Sequence, residues 1–247
     1  MSEGILVALE TSGAVASVAV SRDGDVVGRR FLTERGGHAR ELFPALSSLL
    51  AAAGISRHSI SGVVVGAGPG SFTGVRVGAA AAKGLVHALE VPLFPVSSLA
   101  GAAVAEVALP SEIDGPWGGG GVRAAPEAGS VRLVAFDARG DRLFAAAYRL
   151  GSGSPVPLAR PAFRRLPELL GDPALAGMPL CGDGALRHAA VLETAGRTVL
   201  PAPAGHPTAD GLLHVVLSHP VPEPVPNPGD WAPDYLRATG AERGRPG

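Results

Sequence analysis

Short apolar blocks at 4–10, 15–20 and 26–32 open the chain, separated by the turn formers Thr11-Ser12-Gly13 and Arg22-Asp23-Gly24-Asp25. Blocks of this length between such turns predict three strands in an antiparallel meander. The period then lengthens. Leu42, Phe43, Leu46, Leu49 and Leu50 recur at helical spacing and predict a helix over 38–53, ended by Gly54. A strand at 63–67, a helix over 73–89, a strand at 91–96 and a helix from 98 to 109 capped by Ser97 follow.

Residues 110–130 interrupt this order. Pro110, Pro116, Gly118 to Gly121, Pro126 and Gly129 cannot build a core element, so the segment reads as a connection. Beyond it the chain repeats itself. Leu6-Val7-Ala8-Leu9-Glu10 is echoed by Leu133-Val134-Ala135-Phe136-Asp137, each ending in a carboxylate and each followed by a turn and a returning apolar strand, 15–20 and 143–148. Two such hairpins predict a duplicated α/β lobe, although two unrelated β-hairpins would look similar. Short helices are expected at 166–170, 183–193 and 208–217, and a proline-rich connection at 220–233. The expected division is therefore a first lobe at 1–109, a Gly/Pro-rich connection at 110–130, a second lobe at 131–239 and a disordered tail at 240–247.

Composition narrows the function classes. Hydrophobic residues make up 46% of the chain and charged residues 17%, with a net charge of −1, so no electrostatic footprint for nucleic acid exists. All basic residues except Lys83 are Arg, which together with abundant Ala, Gly and Pro points to codon bias and lowers the weight of any single arginine. The single Cys181 excludes an internal disulfide and fits a reducing, cytoplasmic setting; it reads as a buried inert thiol. No signal-peptide pattern is visible at the start, and no apolar run reaches the ~18 residues of a membrane span.

The densest chemistry lies at 66–78. Gly66, Gly68, Gly70 and Gly74 follow a strand and open a helix, the geometry of a phosphate cradle. Yet no Gly-Lys-Ser/Thr follows, the dinucleotide pattern fails at Ser71, and Lys83 lies far down the helix. The other reading is a tight connection with Ser71 or Thr73 as N-cap. Glu10, with Thr11 and Ser12 beside it, and Asp137 are weak phosphate-site candidates, resembling corners that hold metal–nucleotide phosphates; alternatively, each caps its own turn. No metal site is expected: His38 has Leu42 where a second ligand would stand, and His214 and His219 lack partners. No nucleophile motif and no catalytic residue can be singled out. The helices at 38–53 and 73–89 carry apolar residues around an arc wider than one sheet contact requires, which favours a helix-to-helix protein interface. The candidates for that interface are His38, Leu42, Phe43, Leu46, Leu49 and Leu50 on the first helix, and Val75, Arg76, Ala79, Ala82, Lys83 and Val86 on the second.

These residues together resemble one family. The run A-L-E-T-S, His38, the signature Gly68-Pro69-Gly70-Ser71-Phe72-Thr73-Gly74 continuing through Arg76 and Gly78, Val96-Ser97-Ser98-Leu99, Phe136-Asp137-Ala138-Arg139 and Pro233-Asp234-Tyr235-Leu236-Arg237 closely resemble the bacterial TsaB (YeaZ) family, over essentially the whole chain. The resemblance implies an α/β fold of two tandem actin-like (ASKHA, ribonuclease H-like) subdomains, each a mixed sheet with an antiparallel hairpin and packed helices. It also implies a noncatalytic paralogue of TsaD without a cofactor, acting as a scaffold in making N6-threonylcarbamoyladenosine at position 37 of tRNA. The implied partners are TsaD, through the N-lobe helices, TsaE and a TsaC-type synthase, with a homodimer when alone and at most indirect tRNA contact. Glu10 departs from the family's usual Asp. An actin-like ATPase or phosphotransferase is the rival reading, and a peptidase a distant third.

Overall fold

A computed structural model describes residues 4–32, 38–105, 127, 129–218 and 222–236. The meander forms as β1 (Ile5–Glu10), β2 (Ala16–Arg22) and β3 (Asp25–Leu32), followed by α1 (His38–Ala52), β4 (Ile60–Gly66), α2 (Phe72–Leu89), β5 (Leu93–Val96) and α3 (Ser98–Val104). The second half holds β6 (Val131–Asp137), β7 (Arg142–Arg149), β8 (Val156–Arg165), α4 (Leu166–Gly171), β9 (Leu180–Cys181), α5 (Asp183–Arg187), α6 (Ala189–Thr194) and α7 (Ala209–Leu217). The strand orders are β3-β2-β1-β4-β5 and β8-β7-β6-β9. In both sheets the hairpin strands pair antiparallel while the first strand pairs in parallel with a later one, β1 with β4 and β6 with β9. The two sheets are thus built on one plan.

Strand β1 is apolar on both faces because both are covered. Val7 and Leu9 join Leu42, Leu46 and Leu49 of α1 and Ala82 and Val86 of α2 in one core. Leu6 and Ala8 point the other way, into a second core containing Leu99 of α3, Leu212 and Val216 of α7, and Val134 and Phe136 of β6. The outer face of the second sheet packs Leu133, Leu143 and Ala145 against α4, α5 and α6. Helix, sheet, helix, sheet, helix therefore succeed one another, and the middle helical layer belongs to both lobes.

That middle layer is exchanged. Helix α3, from the first half of the chain, packs on β6 and β7, whereas α7, from the second half, packs on β1 and β2. The two helices cross where Gly101 faces Gly211: a Cβ on Gly101 would stand 2.7 Å from Leu212 Cδ2, and one on Gly211 would overlap the Gly101 carbonyl oxygen. Residues 222–236 return to the first lobe, where Val225 N–H donates to the Leu93 carbonyl of edge strand β5 and Trp231 packs on the first-lobe core.

Several expectations change. The helix expected through 109 stops at Val104, with Ala105 extended. Ser97 stands at its N-cap position but makes no side-chain capping bond. The helix expected at 183–193 is two pieces, broken at His188. Strand β8 has no counterpart among the expected elements; its Pro157 and Pro161 are tolerated because β8 is the sheet's edge. Most of 110–130, the tail at 240–247, the side chain of His38, His219 and Arg237 lie outside the described residues. No helix among the described residues is long and apolar enough to cross a membrane.

Candidate functional site

The glycine-rich turn follows β4 and delivers Ser71 as the N-cap of α2, its hydroxyl accepting from Gly74 N–H at 3.3 Å. Several of its polar groups are engaged by the protein itself. Ser71 N–H donates to the Ser12 carbonyl at 2.8 Å, Ala67 N–H to the Val96 carbonyl at 2.7 Å, and Ser98 N–H to the Gly68 carbonyl at 2.9 Å. The Thr11 hydroxyl donates to the Gly74 carbonyl at 2.7 Å. A Cβ on Gly70 would come within 2.6 Å of the Ser12 carbonyl oxygen, and Cβ atoms on Gly74 and Gly78 would overlap the Thr11 carbonyl and hydroxyl. The β1–β2 corner, Thr11-Ser12, therefore presses onto the turn and the first two turns of α2.

Both acidic corners use the same local bond. Glu10 Oε1 accepts from Ser12 N–H at 2.7 Å, and Asp137 Oδ1 accepts from Arg139 N–H at 2.8 Å. Glu10 is fully buried, its carboxylate lying against Gly66, and Oε2 makes no hydrogen bond of acceptable geometry. Burial pushes its pKa up, and the Ser12 N–H and the Ser12 and Ser98 hydroxyls draw it only partly back. Asp137 is half-buried, with Oδ2 paired to Arg187. Asp183 accepts from Asp137 N–H and Gly184 N–H through Oδ1, and burial raises its pKa as well. Glu10 and Asp137 thus each bond within their own turn, while Asp183 and Arg187 tie α5 to the Asp137 corner. Among the described residues, no three His, Cys, Asp or Glu side chains gather where a metal could be held.

The helix face differs from the expected one. Leu42, Leu46, Leu49, Leu50, Val75, Ala79, Ala82 and Val86 are all buried within this chain, facing the first sheet and the neighbouring helix. They are core, so they are removed from the partner-facing candidates. Their arc is wide because α1 and α2 pack on each other as well as on the sheet. Outward-facing positions include Arg40, Phe43, Ser47 and Ala51 on α1, and Phe72, Arg76, Ala80, Gly84, His87 and Ala88 on α2. Of the expected candidates Phe43 and Arg76 are exposed, and Lys83 is half-buried with its Nζ donating to the Gly229 carbonyl at 2.7 Å. Ala80, Gly84 and Ala88 were missed because small residues carry little hydrophobic signal; their four-residue spacing on a helix was the available clue.

A family model described as TsaD, tRNA N6-adenosine threonylcarbamoyltransferase, matches residues 33–118, the stretch that holds α1 and α2. The tRNA threonylcarbamoyladenosine biosynthesis protein TsaB of Haemophilus influenzae is 38% identical over 100 residues, 40% of this chain and 42% of that protein. The protein of the same name from Escherichia coli is 37% identical over 94 residues, 38% of this chain and 40% of its own length. The chain thus matches about two fifths of the length of these curated relatives. A Pseudomonas aeruginosa crystal structure described as similar to peptidase YEAZ superposes with a TM-score of 0.71 at 26% identity, covering 95% of this chain and 100% of that one. A second, of YeaZ from the same organism, gives 0.64 at 27% identity over 86% and 90%.

Proposed function

We propose, from its likeness to the TsaB (YeaZ) proteins, that this chain is a member of that family and a noncatalytic scaffold and activator of the complex that transfers threonylcarbamoyl to adenosine 37 of tRNA. In this reading the first lobe, 1–109, docks TsaD and supports TsaE, while the second, 131–239, completes the fold. A TsaC-type synthase supplies the pathway upstream, and two copies of the chain pair when TsaD is absent.

The observation that carries this reading is the filled corner. An actin-like ATPase needs backbone amides and a carboxylate open to phosphate and metal. Here Ser71 N–H is bonded to Ser12, and Glu10 is sealed beneath Ser12 and against Gly66. The outward strip of α2 supports it further. Ala80, Gly84 and Ala88 form a ridge of small exposed residues that lets another helix approach closely.

The test is co-purification with TsaD from the same organism, followed by tRNA modification with and without this chain. Wild-type protein is expected to bind and to stimulate modification, whereas Ala80→Arg with Gly84→Glu loses both without loss of the fold. Undiminished complex formation by that variant refutes the interface, and saturable micromolar Mg–ATP binding by the isolated chain in calorimetry restores the ATPase reading.

A further inference from the structure

Three side chains from opposite ends of the chain meet at the start of α2. The Arg76 guanidinium carbon stands 3.8 Å from the centroid of the Phe72 ring and 5.8 Å from that of Tyr235. The two rings are 5.6 Å apart, and Arg76 Nε donates to the Tyr235 hydroxyl at 3.3 Å. Phe72 is nevertheless 58% exposed and Tyr235 39% exposed. Tyr235 is brought there by the returning segment 222–236, fastened by Val225 N–H to Leu93, by Lys83 to the Gly229 carbonyl, and by Asp234 N–H to the Ala67 carbonyl.

An arginine held in this way is prepared for a ligand. Stacking on Phe72 and bonding to Tyr235 fix its rotamer, so less side-chain freedom is lost when it pairs. Nε is engaged, but the two terminal amino groups still offer a fork suited to a carboxylate. Among the described residues, Arg76 forms no ion pair. Arg40 and His87 are also exposed on α1 and α2, with Asp234 exposed beside Tyr235 and Glu41 half-buried on α1. Arg76 also lies one helical turn from Ala80, so the cluster continues the small-residue ridge.

We propose that Phe72, Arg76 and Tyr235 form a preorganised socket for an Asp or Glu side chain of the partner subunit seated on the α2 ridge. The inference rests on the TsaD-binding reading. A protein carboxylate fits better than a nucleic-acid phosphate, because one free guanidinium beside Asp234 on a chain of net charge −1 does not make the multiple cation contacts a phosphate backbone requires.

The full-length chain is titrated with purified TsaD by calorimetry at low and moderate salt, and separately with tRNA. Arg76→Gln is expected to weaken TsaD binding at least about tenfold and to flatten its salt dependence. Arg76→Lys keeps the charge but not the planar fork, so it restores salt dependence and not affinity. Tyr235→Phe removes only the hydroxyl and costs about threefold. All three positions are exposed, and unchanged thermal midpoints verify the fold. Wild-type affinity in Arg76→Gln overturns the socket while leaving the TsaD reading in place, and so does a loss confined to tRNA binding. Failure of the wild-type chain to bind TsaD overturns both.

Discussion

Two glycines of the same helix should answer one substitution with opposite signs. Gly84 lies on the exposed side of α2, where an added Cβ meets nothing within 4 Å. Replacing glycine by alanine in an exposed helix interior stabilises by about 0.5–1 kcal/mol. Gly74 lies in the first turn of the helix, where a Cβ would stand closer than 3.0 Å to the Thr11 carbonyl oxygen. That oxygen belongs to backbone at the end of a central strand and cannot swing aside as a flexible side chain would. Overpacking of this kind costs about 1–3 kcal/mol. Displacing the buried 2.7 Å bond from the Thr11 hydroxyl to the Gly74 carbonyl removes about 1 kcal/mol more. Set against the helix-propensity gain, Gly74→Ala is a net loss of about 1–3 kcal/mol.

In a protein of this size each kcal/mol moves the midpoint by about 2–4 °C, so Gly84→Ala should rise by about 2 °C and Gly74→Ala fall by at least about 2 °C. Thermal denaturation followed by circular dichroism, repeated over a dilution series, reads both. The series matters because Gly84 also lies on the proposed partner face, and the lowest concentration reports the monomer. If Gly74→Ala were as stable as the wild type, the Thr11-Ser12 corner would not be pressed onto α2. Nor would that corner then occupy the anion space at the start of α2.

Buried Glu10 makes stability depend on pH. Its folded-state pKa is raised above the unfolded value near 4.5, so its contribution is fully present below 4.5 and is lost as pH rises through the folded pKa. Glu10→Gln should therefore gain on the wild type as pH climbs from 4.5 to 7 in urea titrations; a constant difference between the two would refute this. Leu46 is 3% exposed and packs in the core of the first lobe, so Leu46→Ala should cost about 2–5 kcal/mol in the isolated chain. Phe43→Ala, at a position 42% exposed, should change the stability of the isolated chain by about 0.5 kcal/mol or less, and comparable losses in the two variants would contradict the inward assignment of Leu46.

Local pattern was enough for most elements. The meander, α1, α2 and the second hairpin follow from short apolar blocks, helical spacing and turn residues, all of which act within a few neighbours along the chain. Ser71 as a cap and the shared corner bond of Glu10 and Asp137 were legible for the same reason. Strand β8 was not, because its prolines are acceptable only at a sheet edge, and edge position is a property of the assembled sheet. The two-residue β9 is too short to leave any pattern.

What the sequence alone determined is most of the elements, the apolar run of β1 and the family signature around Gly68–Gly74. Which apolar side of α1 and α2 would be core was decided only in three dimensions, since a wide arc is equally consistent with a partner and with a second internal contact. The exchange of α3 and α7 at Gly101 and Gly211, the Thr11-Ser12 corner filling the glycine turn, and Tyr235 reaching Arg76 all join residues distant in sequence. Close packing between surfaces sets such contacts, and no local periodicity encodes them.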